Sequence, residues 1–163
     1  MSVTTCSSLP ANALENLFSS YQLQIEWVEN TTTIPGSFWG ETEAGLIKNT
    51  LYIQQQTPVH SALHEACHYI CMDKTRRSGL DTDAGGGYDE ENAVCYLQLL
   101  LSHYLPGYDQ SQHFKDMDQW GYSFRLGSAK RWFNDDASDA KQWLIDKNLI
   151  NTQSEPNWTL RLN

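Results

Sequence analysis

The pentapeptide His64-Glu65-Ala66-Cys67-His68 lies in a stretch of helical apolar spacing, and it constrains this chain more than any other feature. Residues four apart on a helix sit one turn apart on the same face, so the two imidazoles can converge on one metal ion. Glu65 is rotated from that pair yet near enough to hold and deprotonate a water beside the ion. With 5 His and 9 Glu in 163 residues, composition alone yields roughly 0.01 such matches per chain, so abundance does not explain the spelling.

Two histidines do not hold a catalytic zinc alone; such sites use three protein ligands, and the third must come from outside this helix. His60 precedes His64 by one turn, but His60 and His68 would lie about 12 Å apart along the axis, too far to share an ion. His60 is therefore expected beside the site or at the surface. His103, His113 and Cys71 stay open as third ligands. An acid of the run Asp89-Glu90-Glu91 is favoured, and helical phase separates its members. Glu90 shares a face with Ala93, Val94, Leu97 and Leu101, the apolar stripe, whereas Glu91 lines up with Cys95, Gln98 and Ser102, the more polar side. A carboxylate on a buried face is costly unless paired, and a metal offsets that cost, so the phase favours Glu90. Glu91 remains the alternative, since acids at a helix start are also favoured by the macrodipole.

The rest of the chain bounds what surrounds this site. Its 163 residues suit one domain over 1–163, large enough to bury a core without staples. Eleven basic against 20 acidic residues, a formal charge of -9, leave no basic stripe for nucleic-acid phosphates; Arg76-Arg77 and Lys130-Arg131 are only short pairs. No apolar run is long enough for a membrane span, and the N-terminus lacks the basic-then-apolar pattern of a secretory leader. Cys6, Cys67, Cys71 and Cys95 fall mostly on apolar faces, which fits free buried thiols in a reducing cytoplasm.

Periodicity predicts a helix over 10–21, a half-buried strand over 22–29 and a loop over 31–40. A second strand follows over 45–54, and then the motif helix, capped by Thr57 and starting at Pro58, runs to about Lys74. A glycine-containing connection over 76–88 leads to a helix capped by Asp89 and running from Glu90 to about Tyr104. Further helices follow from Ser111, with Trp120, Phe124, Trp132, Phe133, Trp143 and Leu144 as core residues, and the tail 157–162 suggests a short strand.

A strand, a helix with His64-Glu65-x-x-His68, and a second helix opening on Glu90-Glu91-Asn92-Ala93 together resemble the zincin metallopeptidases, over roughly residues 45–104. More narrowly the pattern looks like the compact gluzincins, whose third ligand is a glutamate on the following helix. The resemblance implies an α+β domain, with a short, mostly antiparallel sheet packed on the motif helix and further C-terminal helices. It implies Zn2+ held by His64, His68 and Glu90, with Glu65 as general base, in a peptidase acting on a peptide or protein. It also implies that the strand over 45–54 lies at a sheet edge, where an extended peptide could pair. Many gluzincins carry an acid four residues beyond the ligand glutamate; Val94 stands at that position after Glu90. An oxyanion donor is expected among Tyr88, His103, Tyr122 and Arg125, of which Tyr122 is taken as the catalytic candidate. The rival expectations are a binding or regulatory module of the same fold with structural or no metal, and a hydrolase of a non-peptide amide.

Overall fold

The structure, a computed structural model, describes residues 3–38, 40, 42–124 and 126–163. Among these the chain runs α1 (Ala13–Phe18), β1 (Gln24–Trp27), β2 (Gly45–Ile47), β3 (Thr50–Ile53), α2 (Val59–Cys71), α3 (Lys74–Ser78), α4 (Tyr88–Ser102), α5 (Gln110–Trp120), α6 (Ala129–Asp135) and α7 (Ser138–Asp146). The result is an α+β arrangement of seven helices and one small sheet.

The motif stretch forms α2, and every residue of it except His64 is buried. Pro58 stands just before its first turn, where a fixed φ and a missing N–H carry no penalty. Thr57 does not cap it; its hydroxyl accepts instead from the Gln54 amide at 2.8 Å, closing the β3–α2 turn. The sheet packs on one side of α2, α4 packs on the other, and α7 covers the far side of α4. Helix α4 is thus sandwiched, with Ala93 to Leu99 all buried. Leu51, Ile53, Leu63, Ile70, Leu97 and Leu101 fill the space between these layers. Among the described residues no helix is long and apolar enough to cross a membrane.

Two strand expectations are corrected. The run over 45–54 is a hairpin rather than one strand, turning at Lys48, which takes φ 54. The sheet order is β1-β3-β2, with β1 parallel and β2 antiparallel to β3, so it is evenly mixed rather than mostly antiparallel. The hairpin turn joins β2 to β3 directly, whereas residues 28–44 carry the chain from β1 to the far edge before it returns. The outer rim of β2 is also occupied: Leu46 N–H donates to the Gly36 carbonyl at 3.1 Å, and Leu46 C=O accepts from Thr82 N–H at 2.8 Å. Backbones touch there because Gly36 and Gly45 lack side chains; a Cβ at Gly45 would overlap the Pro35 carbonyl oxygen. An extended peptide therefore cannot pair with Leu46 while these loops hold it.

The C-terminal tail forms no strand. It runs as coil along the end of α2, with Arg161 N–H donating to Ile70 O and Lys74 N–H to Leu162 O. Residues 76–88, expected as a connection throughout, begin inside α3, whose Asp73 cap accepts from Arg76 N–H. Helix α4 starts at Tyr88 after Gly87, so Asp89 lies inside it and does not cap it. Trp132 and Leu144 are core residues; Phe124, Phe133 and Trp143 are half-buried, and Trp120 is exposed at the mouth of a cleft.

Candidate metal centre

His64 and His68 project from the same face of α2, and their Nε2 atoms lie 3.2 Å apart. Glu91, from the first turn of α4, closes a triangle with them: Oε1 is 3.0 Å from His64 Nε2 and Oε2 is 3.1 Å from His68 Nε2. Lone-pair donors at such separations repel unless protons or a cation lie among them. A tetrahedral ion with bonds of 2.0–2.1 Å would separate its ligands by about 3.3 Å, so this donor set fits a zinc-like ion with little movement. Both histidines are nearly enclosed, while half of the Glu91 side chain is exposed.

Glu90, expected as the third ligand, is turned the other way, and this is a correction. Its carboxylate accepts from Arg76 at 3.0 and 2.5 Å and from Arg161 Nη1 at 2.9 Å. A buried acid did require a positive partner, but two guanidiniums supply it. The glycine before α4 fits this role, since a Cβ at Gly86 would strike the Glu90 carboxylate. The phase argument failed because α4 is buried on two sides: its apolar stripe is not the one facing the histidines. The polar stripe Glu91, Cys95, Gln98 and Ser102 was visible in the sequence. Three of its members meet the site: Gln98 Oε1 lies 2.7 Å from His64 Nδ1, and the Cys95 thiol joins His64 and Glu91 as a further donor, with ligand atoms within 4.8 Å. Val94, the position that departed from the pattern, is simply core, because the residue four beyond Glu91 is Cys95.

Glu65 is nine-tenths buried, and its carboxylate lies within 4.8 Å of the histidine nitrogens, a gap one water can bridge. Burial raises its pKa, His64 and His68 oppose that, and the negative charges of Glu91 and Glu43 add to it. Glu91 shifts down: its desolvation is outweighed by hydrogen bonds from both histidines. Burial opposes the charged form of His64, yet its pKa is raised, with the Glu91 carboxylate among the partners that outweigh that burial.

A cleft of about 610 Å³ opens on this cluster, walled by Glu43, Ser61, Trp120 and Tyr122 beside His64, Glu65 and Glu91. A smaller one of about 230 Å³ continues past the same three residues toward Phe38 and 82–85. No lysine or arginine lines either among the described residues. Glu43 is fixed at the wall by the Ser61 hydroxyl and by Trp120 Nε1–H at 2.8 Å. Nothing local in the sequence marks Glu43 or Trp120 for this place; loop and helix end meet only in three dimensions.

Tyr122 lines the same cleft as His64, Glu65 and Glu91. Its hydroxyl is 3.2 Å from His60 Nδ1, and its ring stands edge-on to His64 at 5.6 Å between centroids. Burial raises the phenol pKa, so the group stays protonated and able to donate. His60 is thus a support beside the site, its ring also against Trp120. Of the other candidates, Tyr88 is largely exposed, His103 lies at a separate cleft with Tyr108, and Arg125 is outside the described residues. Cys71 is buried without joining the donor set, and His113 contacts Gln98 rather than the histidine pair.

The neutral histidines give a pH prediction. Burial first, then His64, lowers the His60 pKa to about 3, with Asp116 opposing; burial and the neighbouring His60 and His64 hold His113 well below its usual value. A histidine with a depressed folded pKa takes up its proton more readily when unfolded, so stability falls as pH drops below about 6.5. Denaturant unfolding of the metal-free protein should show a loss of about 2 kcal/mol from His60 alone between pH 6.5 and 5. His113 adds to that loss. His64 does not mask it, since a raised pKa contributes in full throughout that window. Glu65, with its raised pKa, gains stability as pH falls and offsets part of this loss, so the profile is read in Glu65→Gln, where a flat curve would refute the neutral assignment.

Comparison of the chain with models of known protein families, with curated proteins and with solved structures finds no match.

Proposed function

We propose that this chain is a zinc-dependent peptidase of compact zincin type, with His64, His68 and Glu91 as metal ligands and Glu65 as general base. The observation that carries this reading is the convergence of two imidazole nitrogens and a carboxylate at 3.0–3.2 Å, with Glu65 facing an open cleft beside them. A ligand glutamate on the long helix that packs against the motif helix supports the gluzincin likeness, with Glu91 in place of Glu90. A zinc ion held there supplies Lewis acidity, polarising a carbonyl and making a nearby water acidic. Glu65 takes the proton of the attacking water and passes it to the leaving amine, a task its raised pKa suits. Tyr122, steadied by His60, donates a hydrogen bond to the developing oxyanion. The substrate lies in the cleft rather than along β2, whose rim is taken. The free, buried thiols support a reducing compartment, the cytoplasm.

The test is direct. Purified protein should carry about one zinc per chain and cleave members of a mixed peptide library, and a chelator should abolish cleavage until zinc is restored. Zinc-loaded protein that cleaves nothing in the library would overturn the peptidase assignment. One observation favours a second reading: Cys95 beside His64 and Glu91 could close the shell as a thiolate, giving a structural site. Cobalt substitution separates the two, because a thiolate ligand adds an intense near-ultraviolet charge-transfer band absent from an all-nitrogen-and-oxygen site.

A further inference from the structure

We propose that Gln98 and His113 act as a neutral positioning pair that fixes the tautomer of His64, presenting a bare Nε2 to the metal position. Both residues are fully buried, on α4 and α5 respectively. The amide of Gln98 reaches three partners: Oε1 lies 2.7 Å from His64 Nδ1, and Nε2 lies 3.4 Å from the His60 carbonyl and 3.0 Å from His113 Nε2. A backbone carbonyl can only accept, so the amide nitrogen must face His60. Its oxygen then faces His64, and an amide oxygen also only accepts. Nδ1 of His64 therefore carries a proton, and in the neutral ring Nε2 keeps its lone pair. Nε2, the nitrogen that faces His68 Nε2 and Glu91, is left for the metal, which takes the place of the proton that Glu91 draws to it in the charged ring. The second amide hydrogen goes to His113 Nε2, so His113 holds its own proton on Nδ1, a buried atom without a partner among the described residues. A reversed amide would set oxygen against the His60 carbonyl and place a donor against His64 Nδ1, which would move the proton to Nε2 and block it as a ligand.

The pair is neutral, where a carboxylate in the place of Gln98 would bring a second negative charge beside that of Glu91. Among the described residues His68 has no such support; its Nδ1 is buried without a hydrogen-bond partner there. His64 is thus the imidazole held in advance, and the arrangement matters for catalysis only if His64 is a ligand, as proposed above.

The test reads the tautomer itself. In nitrogen-15 NMR of the metal-free protein, at a pH where His64 is neutral, wild type should show the proton on Nδ1. Gln98→Met should lose that preference and bind zinc roughly 10–100-fold more weakly in a competition assay, with secondary structure retained. Gln98→Glu, which keeps an oxygen against Nδ1, should restore the Nδ1–H tautomer, and His113→Leu should bind zinc with intermediate affinity. Wild-type His64 protonated on Nε2 overturns the proposal without any variant having to fold, as does an unchanged tautomer in Gln98→Met. Failure of wild type to bind zinc at all overturns the metal assignment instead, while the NMR readout still decides this one.

Discussion

Glu90→Gln should destabilise the protein by about 3 kcal/mol, whereas Glu91→Gln should cost the metal-free fold less than that and remove its metal. The two acids are neighbours in sequence and opposites in environment. The Glu90 side chain is 7% exposed and joins Arg76 to Arg161, itself 13% exposed. Removing the charge leaves Arg161 buried and uncompensated, the situation that costs about 3–5 kcal/mol, and the low end applies because Arg76 is a third exposed. For a chain of this size that corresponds to a fall in Tm of roughly 6–12 °C. Glu91 is half exposed, and among the described residues its charged contacts are with the two histidines. Its loss should weaken zinc binding by more than the roughly 10–100-fold seen when a ligand's outer partner is removed. It should also abolish the stabilisation by zinc expected of the wild type, about 4 kcal/mol at a thousandfold excess over Kd. Thermal unfolding with and without zinc, run on both variants, reads all of this. If Glu90→Gln loses zinc affinity while Glu91→Gln keeps it, the ligand is misassigned.

Glu65→Gln should lower kcat by about 10²–10⁴ while zinc content stays at the wild-type level. The amide has the size of the carboxyl group and keeps its place in the buried face of α2, but it cannot accept and return a proton. Because the carboxylate lies beside the ligand set and outside the short triangle, its replacement should not release the ion. Rates on a fluorogenic peptide, measured beside metal analysis of the same preparation, check both halves. A variant that retains more than a tenth of the activity would remove Glu65 from the proposed mechanism. One that loses zinc would place Glu65 among the ligands.

Much of the α-helical part was legible because helices are local. Pro58 before α2, the apolar phases of α2 and α4, and the burial of the cysteines could all be anticipated from neighbours in sequence. The sheet was less so. Leu46, Leu51 and Ile53 announce buried strand positions, yet whether they form one strand or a hairpin depends on Lys48 adopting φ 54, which no residue type there demands. Trp120 illustrates a different limit: a large aromatic suggests core, but the glycine that ends α5 leaves it at the cleft mouth, hydrogen-bonded to Glu43.

The sequence by itself determined the pair His64 and His68 and the place of Glu65, because the 3.6-residue period fixes their relation on any α-helix. It also determined that an acid near the start of the next helix would matter. Which acid was a tertiary decision. Neighbouring helix residues point about 100° apart, so choosing between Glu90 and Glu91 means knowing how α4 is rotated about its axis. That rotation is set by packing between α2 and α7 and by Arg76 and Arg161, the latter 71 positions from Glu90. The same packing brings Gln98, His113, Tyr122 and Glu43 around the histidines from separate elements, and no spacing within one segment could have joined them.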